Sequence, residues 1–135
     1  MVRLALEDEP KLTASDIEFS LPKPNYTIHT LEHLVQIHPE QQFVLLMGED
    51  NLVHFDRWKH HERILERVEV YVYPRQHESF PPTALLNHEK VKLIDAPKLE
   101  YTSTAVREIL KKGGSVEAFI PNASWVYMEK KGFYK

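Results

Sequence analysis

FVLLMGEDNLVHFDRWK, residues 43–59, opens with five consecutive apolar residues, Phe43 to Met47. The run is too short to span a membrane and shows no polar alternation. It reads as a strand buried on both faces, as in a parallel sheet covered by helices. Gly48 ends it, where the backbone can turn sharply or approach a ligand closely. Two carboxylates, Glu49 and Asp50, follow, and an aromatic pair, Phe55 and Trp58, comes a few residues later. Ligands of open α/β sheets sit at the carboxyl ends of strands. The stretch therefore reads as a binding site as well as a core strand.

Working outward, residues 1–6 (MVRLAL) read as the last turns of an amphipathic helix that begins in mid-pattern without an N-cap. Residues 15–21 (SDIEFSL) alternate apolar Ile17, Phe19 and Leu21 with polar residues, the pattern of a half-buried strand. Pro22 and Pro24 enforce a turn. A helix over 27–36 follows, with Thr27 as N-cap and Ile28, Leu31, Leu34 and Val35 on one apolar face. Beyond the central stretch come a helix over 57–66, a strand over 68–73, a polar loop over 76–82, a helical turn over 83–86 and a strand over 90–94. Helices over 102–112 and 122–131 close the chain, each stopped by glycine. Strands alternating with helices predict an α/β fold with a parallel sheet. No internal boundary is visible, so residues 1–135 read as one domain.

Composition excludes several classes. The chain has 135 residues, 42% hydrophobic and 27% charged, as in a soluble globular protein. A net charge of -3 gives no reason to expect nucleic acid. No apolar run reaches transmembrane length and no signal peptide is present, so no membrane partner is expected. The absence of cysteine excludes a disulfide framework, a thiol nucleophile and a zinc-thiolate site, and suits a reducing cytoplasm.

Four candidates carry chemistry. Thr102-Ser103-Thr104 opens a helix and Arg107 stands one turn in. Helix N-termini favour anions, and arginine grips phosphate oxygens in a fork. The plainer alternative is a well-capped surface helix. Trp58 can stack on an aromatic ligand or simply cover the core. Asp50 can accept hydrogen bonds from a ribose or cap the turn after its strand. Arg75, after the 68–73 strand, can meet a phosphate or stay solvated. Of the eight histidines, His29 and His33 share a helix face, yet no third ligand is evident, and His60-His61-Glu62 makes a poor chelate. No metal site is expected, and nothing indicates a covalent nucleophile.

Taken together, these segments resemble bacterial nicotinate-nucleotide adenylyltransferases across almost the whole chain. Tyr26-Thr27 with Thr30-Leu31 resembles the family's YTxxTL segment, and Gly48 to Leu52 its GxDxL. Residues 55–59 (FDRWK) resemble its FxxW, and residues 102–107 (TSTAVR) its SSTxIR. Ser115-Val116, Pro121 and Phe133-Tyr134 resemble its ending. The resemblance implies a Rossmann-like nucleotidyltransferase fold and transfer of AMP from ATP to nicotinate mononucleotide, giving deamido-NAD and pyrophosphate. It implies that Trp58 stacks on the pyridine ring, with Tyr26, Thr27 and Lys59 near the carboxylate. Gly48 and Asp50 would hold adenosine, and Thr102, Ser103, Thr104 and Arg107 the ATP phosphates, with Mg2+ accompanying the nucleotide. His29 stands where the family usually has Asp, and Thr102 where it usually has Ser.

The family's opening strand and GSFxPxHxGH loop have no counterpart in these residues, so the resemblance leaves the catalytic histidines unassigned. Residues 15–21 would be the third strand and residues 43–47 the fourth. The first and second strands, which should lie between them, would be lacking, with a truncated or misannotated start, a fragment of a larger protein, or a sheet completed by another chain as the expected explanations. A non-catalytic nucleotide-binding module, and a sister enzyme acting on nicotinamide mononucleotide or phosphopantetheine, are the alternative functions.

Overall fold

The computed structural model describes residues 1–74, 84–97 and 101–134. In chain order the regular elements are α1 (Val2–Ala5), α2 (Thr27–Ile37), β1 (Val44–Gly48), α3 (Glu49–Leu52), α4 (His61–Arg67), β2 (Glu69–Tyr73), β3 (Val91–Leu93), α5 (Ser103–Lys111) and α6 (Asn122–Lys131). Short 3-10 helices fall at Ile17–Ser20, Phe55–Arg57, Ala84–Asn87 and Glu117–Phe119. The residues form two compact units: Ile17–Leu99, and Met1–Asp16 together with Glu100–Lys135.

The larger unit holds a parallel sheet in the order β1-β2-β3. Leu45 pairs with Val70 and Met47 with Val72, while Val70 pairs in turn with Val91. Successive strand residues face opposite sides. One side therefore gathers Met47, Val70, Val72 and Val91, which are buried with Ile28 and Leu31 of α2, Leu52 of α3, Phe55, and Ile64 and Leu65 of α4. The other side carries Val44 and Leu46, which are 43% and 62% exposed. The expectation of a strand buried on both faces is thus corrected. Within this unit the apolar helix faces α2 and α4 serve one side of the sheet only, and β1 pairs on one edge.

Residues 15–21 are not a strand. Ile17–Ser20 is a 3-10 helix whose Phe19 is 87% exposed. Three alternating apolar residues do not make a strand without a ladder partner, and local bonds satisfy this backbone instead. Ser20 Oγ donates to the Ile17 carbonyl, and Asn25 Nδ2 to the Glu18 carbonyl. The helix expected over 57–66 begins later. Phe55–Arg57 makes a separate turn, and His60 adopts left-handed backbone (φ 53°, ψ 42°) before α4 starts. Thr27 is the first helical residue of α2, and Tyr26 takes the cap position without a side-chain bond. Residues 76–82 and Thr83 lie outside the described residues.

In the smaller unit, Leu110, Val116 and Met128 form the core, with Val106, Ile109, Ile120 and Trp125 packed around it. Arg3 pairs with Asp16 at 2.9 Å, and Ser124 Oγ donates to the Met1 carbonyl. No described helix is long and apolar enough to cross a membrane.

Three expectations follow. Phe55 has no exposed surface, so Phe55→Ala should cost about 3–5 kcal/mol through lost burial and a residual cavity; urea unfolding measures it, and a loss below about 1 kcal/mol would contradict the packing. Glu49 is 3% exposed, and its Oε1 has no hydrogen-bond partner among the described residues. Removing a buried unpaired acceptor should help, so Glu49→Met should raise stability by about 1 kcal/mol; a lower urea midpoint would refute this. On the sheet surface, Lys92 hydrogen-bonds to Glu69 at 2.7 Å and holds its carboxyl below the ordinary 4.5. The contribution from Glu69 is present above about pH 4.5 and lost as pH falls through the lowered value. Lys92→Met should raise the Glu69 midpoint toward its ordinary value in an NMR titration, and an unmoved midpoint would count against the pair.

Candidate functional site

At the carboxyl end of β1 the chain passes from Gly48 directly into α3. Gly48 has φ -76° and ψ 155°, a conformation open to any residue, so the turn itself does not require glycine. Of the two carboxylates, Glu49 is buried and Asp50 is exposed. Sequence alone does not distinguish them, because which one faces the core depends on how α3 sits on the sheet. Val53 N–H donates to the Glu49 carbonyl, closing one helical turn that delivers Phe55 to the core.

Phe55 then anchors the site. Its ring lies 5.4 Å from that of Trp58, tilted by 54°, and 5.9 Å from His61. Trp58 is half-buried, packs on the core through this contact, and also lines a cavity of about 230 Å³. Trp58 thus covers the core, and the same side chain borders open space. Tyr26 and Thr27, from the start of α2, line the same cavity, together with Lys59. Sequence reading placed these four residues together, and the structure brings them together. Asn25, Arg57 and Ile64 complete the lining and were not singled out. Arg57 is adjacent to Trp58 in the chain, but only the 3-10 turn at Phe55–Arg57 makes it a wall of the cavity.

The electrostatics of this cavity favour an anion. Lys59 Nζ stands 4.3 Å from the centre of the Tyr26 ring, a cation–π contact. The His29 ring meets Tyr26 edge-on at 5.7 Å. α2 begins here with no acidic residue in its first turn and no side-chain cap. Its leading N–H groups and helix dipole favour an anion, and the Glu18 carboxylate already accepts from Thr30 Oγ1 of this turn at 2.9 Å. An aromatic wall, cations and a helix N-terminus suit a flat ring that bears negative charge.

The second group lies in the smaller unit. Thr102 is the N-cap of α5, its hydroxyl oxygen accepting from Ala105 N–H at 3.1 Å. Arg107 Nη2 donates to Ser103 Oγ at 3.0 Å. Thr102, Ser103, Thr104 and Arg107 are all at or near the surface. The capping alternative is therefore realised. The same geometry lines up hydroxyls, a guanidinium and helix N–H groups at one helix end, with no acid in the first turn. Arg75 lies outside the described residues. Among the described residues, no group of three His, Asp or Glu side chains is placed to hold a metal ion.

No protein-family profile matches the chain. A probable nicotinate-nucleotide adenylyltransferase of Flavobacterium psychrophilum is 44% identical over 135 residues, covering 100% of this chain and 70% of that protein. One from Cytophaga hutchinsonii is 45% identical over 120 residues, covering 89% of this chain and 62% of that protein. Among solved structures, nicotinic acid mononucleotide adenylyltransferase of Plasmodium falciparum complexed with APC superimposes with a TM-score of 0.72. It shares 23% identity, covering 92% of this chain and 65% of that chain, and supports the nucleotidyltransferase fold. With an α/β fold of this type and 44% identity over all 135 of its residues to a relative of which it covers 70%, the chain belongs to the nicotinate-nucleotide adenylyltransferase family, nucleotidyltransferases of NAD biosynthesis.

Proposed function

We propose that this chain binds nicotinate mononucleotide and ATP for transfer of AMP to the mononucleotide, yielding deamido-NAD and pyrophosphate. The observation that carries this reading is the cavity beside Trp58, with its aromatic wall, its cations and the start of α2. The pyridine ring stacks on Trp58. Tyr26, Thr27 and the backbone around Lys59 receive the carboxylate, helped by the α2 N-terminus. Gly48 and Asp50 lie at the strand end, where a nucleoside is held in open α/β sheets, and take the adenosine side.

Thr102, Ser103, Thr104 and Arg107 take the ATP phosphates. Thr102 uses its oxygen as the cap acceptor and keeps its O–H to donate. Arg107 leaves Ser103 Oγ for phosphate oxygens, a stronger charge-assisted partner. Magnesium enters as part of the substrate, carried by phosphate oxygens and water rather than by a protein cage. Catalysis consists of positioning and charge stabilisation for in-line attack of the mononucleotide phosphate on the α-phosphorus of ATP, with pyrophosphate leaving. The absence of cysteine accords with a cytoplasmic setting.

Two substitutions separate the halves of this assignment. Trp58→Ala should weaken nicotinate mononucleotide binding by about 10- to 100-fold, the equivalent of about 1–3 kcal/mol for a lost ring stack. Arg107→Gln should weaken ATP binding by about tenfold or more and leave the mononucleotide unaffected. Calorimetric titration of each ligand reads both. A Trp58→Ala protein that keeps full mononucleotide affinity would sink the ring placement.

A further inference from the structure

The cavity beside Trp58 is walled by two cationic side chains, Arg57 and Lys59, and by no carboxylate. This occurs in a chain with 20 acidic and 17 basic residues, so an acid-free, doubly cationic cavity is not its average surface. Two other arginines form ion pairs: Arg63 with Glu32, and Arg3 with Asp16. Among the described residues neither Arg57 nor Lys59 forms an ion pair. Asp56, next to Arg57 in sequence, is not part of the wall. Lys59 is held over the Tyr26 ring. Arg57 has no such engagement, and its planar fork of N–H donors matches a carboxylate.

We propose that Arg57 is a specificity-determining residue, whose guanidinium makes the Trp58 cavity select an aromatic ring bearing a carboxylate over the same ring bearing a carboxamide. The inference rests on the placement of the pyridine ring against Trp58 and adds the side chain that reads its charge. A carboxylate gains a charge-assisted bond to Arg57 and the field of Lys59. A carboxamide can accept one bond from Arg57 through its oxygen, but it carries no charge, so it lacks the bidentate ion–ion match to the guanidinium and the attraction of both cations. Discrimination thus comes from the stronger attraction of the acid by this group.

Calorimetric titration of the full chain with nicotinate mononucleotide and with nicotinamide mononucleotide tests this, using the parent protein, Arg57→Gln and Arg57→Lys. Far-UV circular dichroism checks that each variant is folded. The parent should prefer the acid. Arg57→Gln should lower the acid-to-amide affinity ratio about tenfold, chiefly by loss of acid binding, and Arg57→Lys should retain part of it. Raising ionic strength should shrink the parent's ratio more than that of Arg57→Gln. An unchanged ratio in Arg57→Gln, or equal weakening of both ligands, would overturn the role of Arg57 while leaving the ring placement standing. A parent protein that binds neither mononucleotide would remove the ring placement, and this inference with it.

Discussion

Phe55 joins the core to the cavity. Its ring has no accessible surface, and it packs among the residues of α2, α3, α4 and the sheet while touching Trp58 and His61. Burying a ring of this size stabilises by about 1.5–3 kcal/mol. More importantly, it fixes the turn that follows β1. Arg57 and Lys59 are exposed and Trp58 is half-buried, and the anchoring of Phe55 below them is what gives the three a defined position. The left-handed backbone at His60 then redirects the chain into α4, whose Ile64 and Leu65 return to the same core.

The polar features depend on this apolar frame. α2 packs Ile28 and Leu31 onto the sheet, which presents its N-terminal end, Tyr26 and Thr27 at the cavity. Among the described residues the cations there lack carboxylate partners, whereas elsewhere opposite charges meet, as in Glu69 with Lys92 and Glu32 with Arg63. Unbalanced charge beside an aromatic wall is unfavourable for folding and favourable for binding an anion. Glu49 is a second departure from satisfied burial, placed at the strand end next to Asp50. Such violations of local consistency concentrate where a fold serves function.

The central strand, the helices beginning near Thr27 and Ser103, and the strand ending at Tyr73 were legible because each has a strong local pattern. The segment around Ile17 was misread. Its alternation is a local signal, but a strand exists only through a ladder partner, and side-chain bonds to its own backbone supply the alternative. The double burial expected for residues 44 and 46 failed for a related reason. A hydrophobic run records what side chains tolerate, while burial depends on which elements reach each face.

The sequence by itself determined the family, the parallel α/β class and the grouping of Tyr26, Thr27, Trp58 and Lys59, because these rest on residue identity and order along the chain. The tertiary structure alone decided that Arg57 walls the cavity, that Glu49 rather than Asp50 is buried, and that Trp58 serves core and cavity together. These are matters of direction. A one-residue change in where a turn ends reverses which side chain faces inward, and that choice is made by packing against Phe55 and the sheet, which no local pattern records.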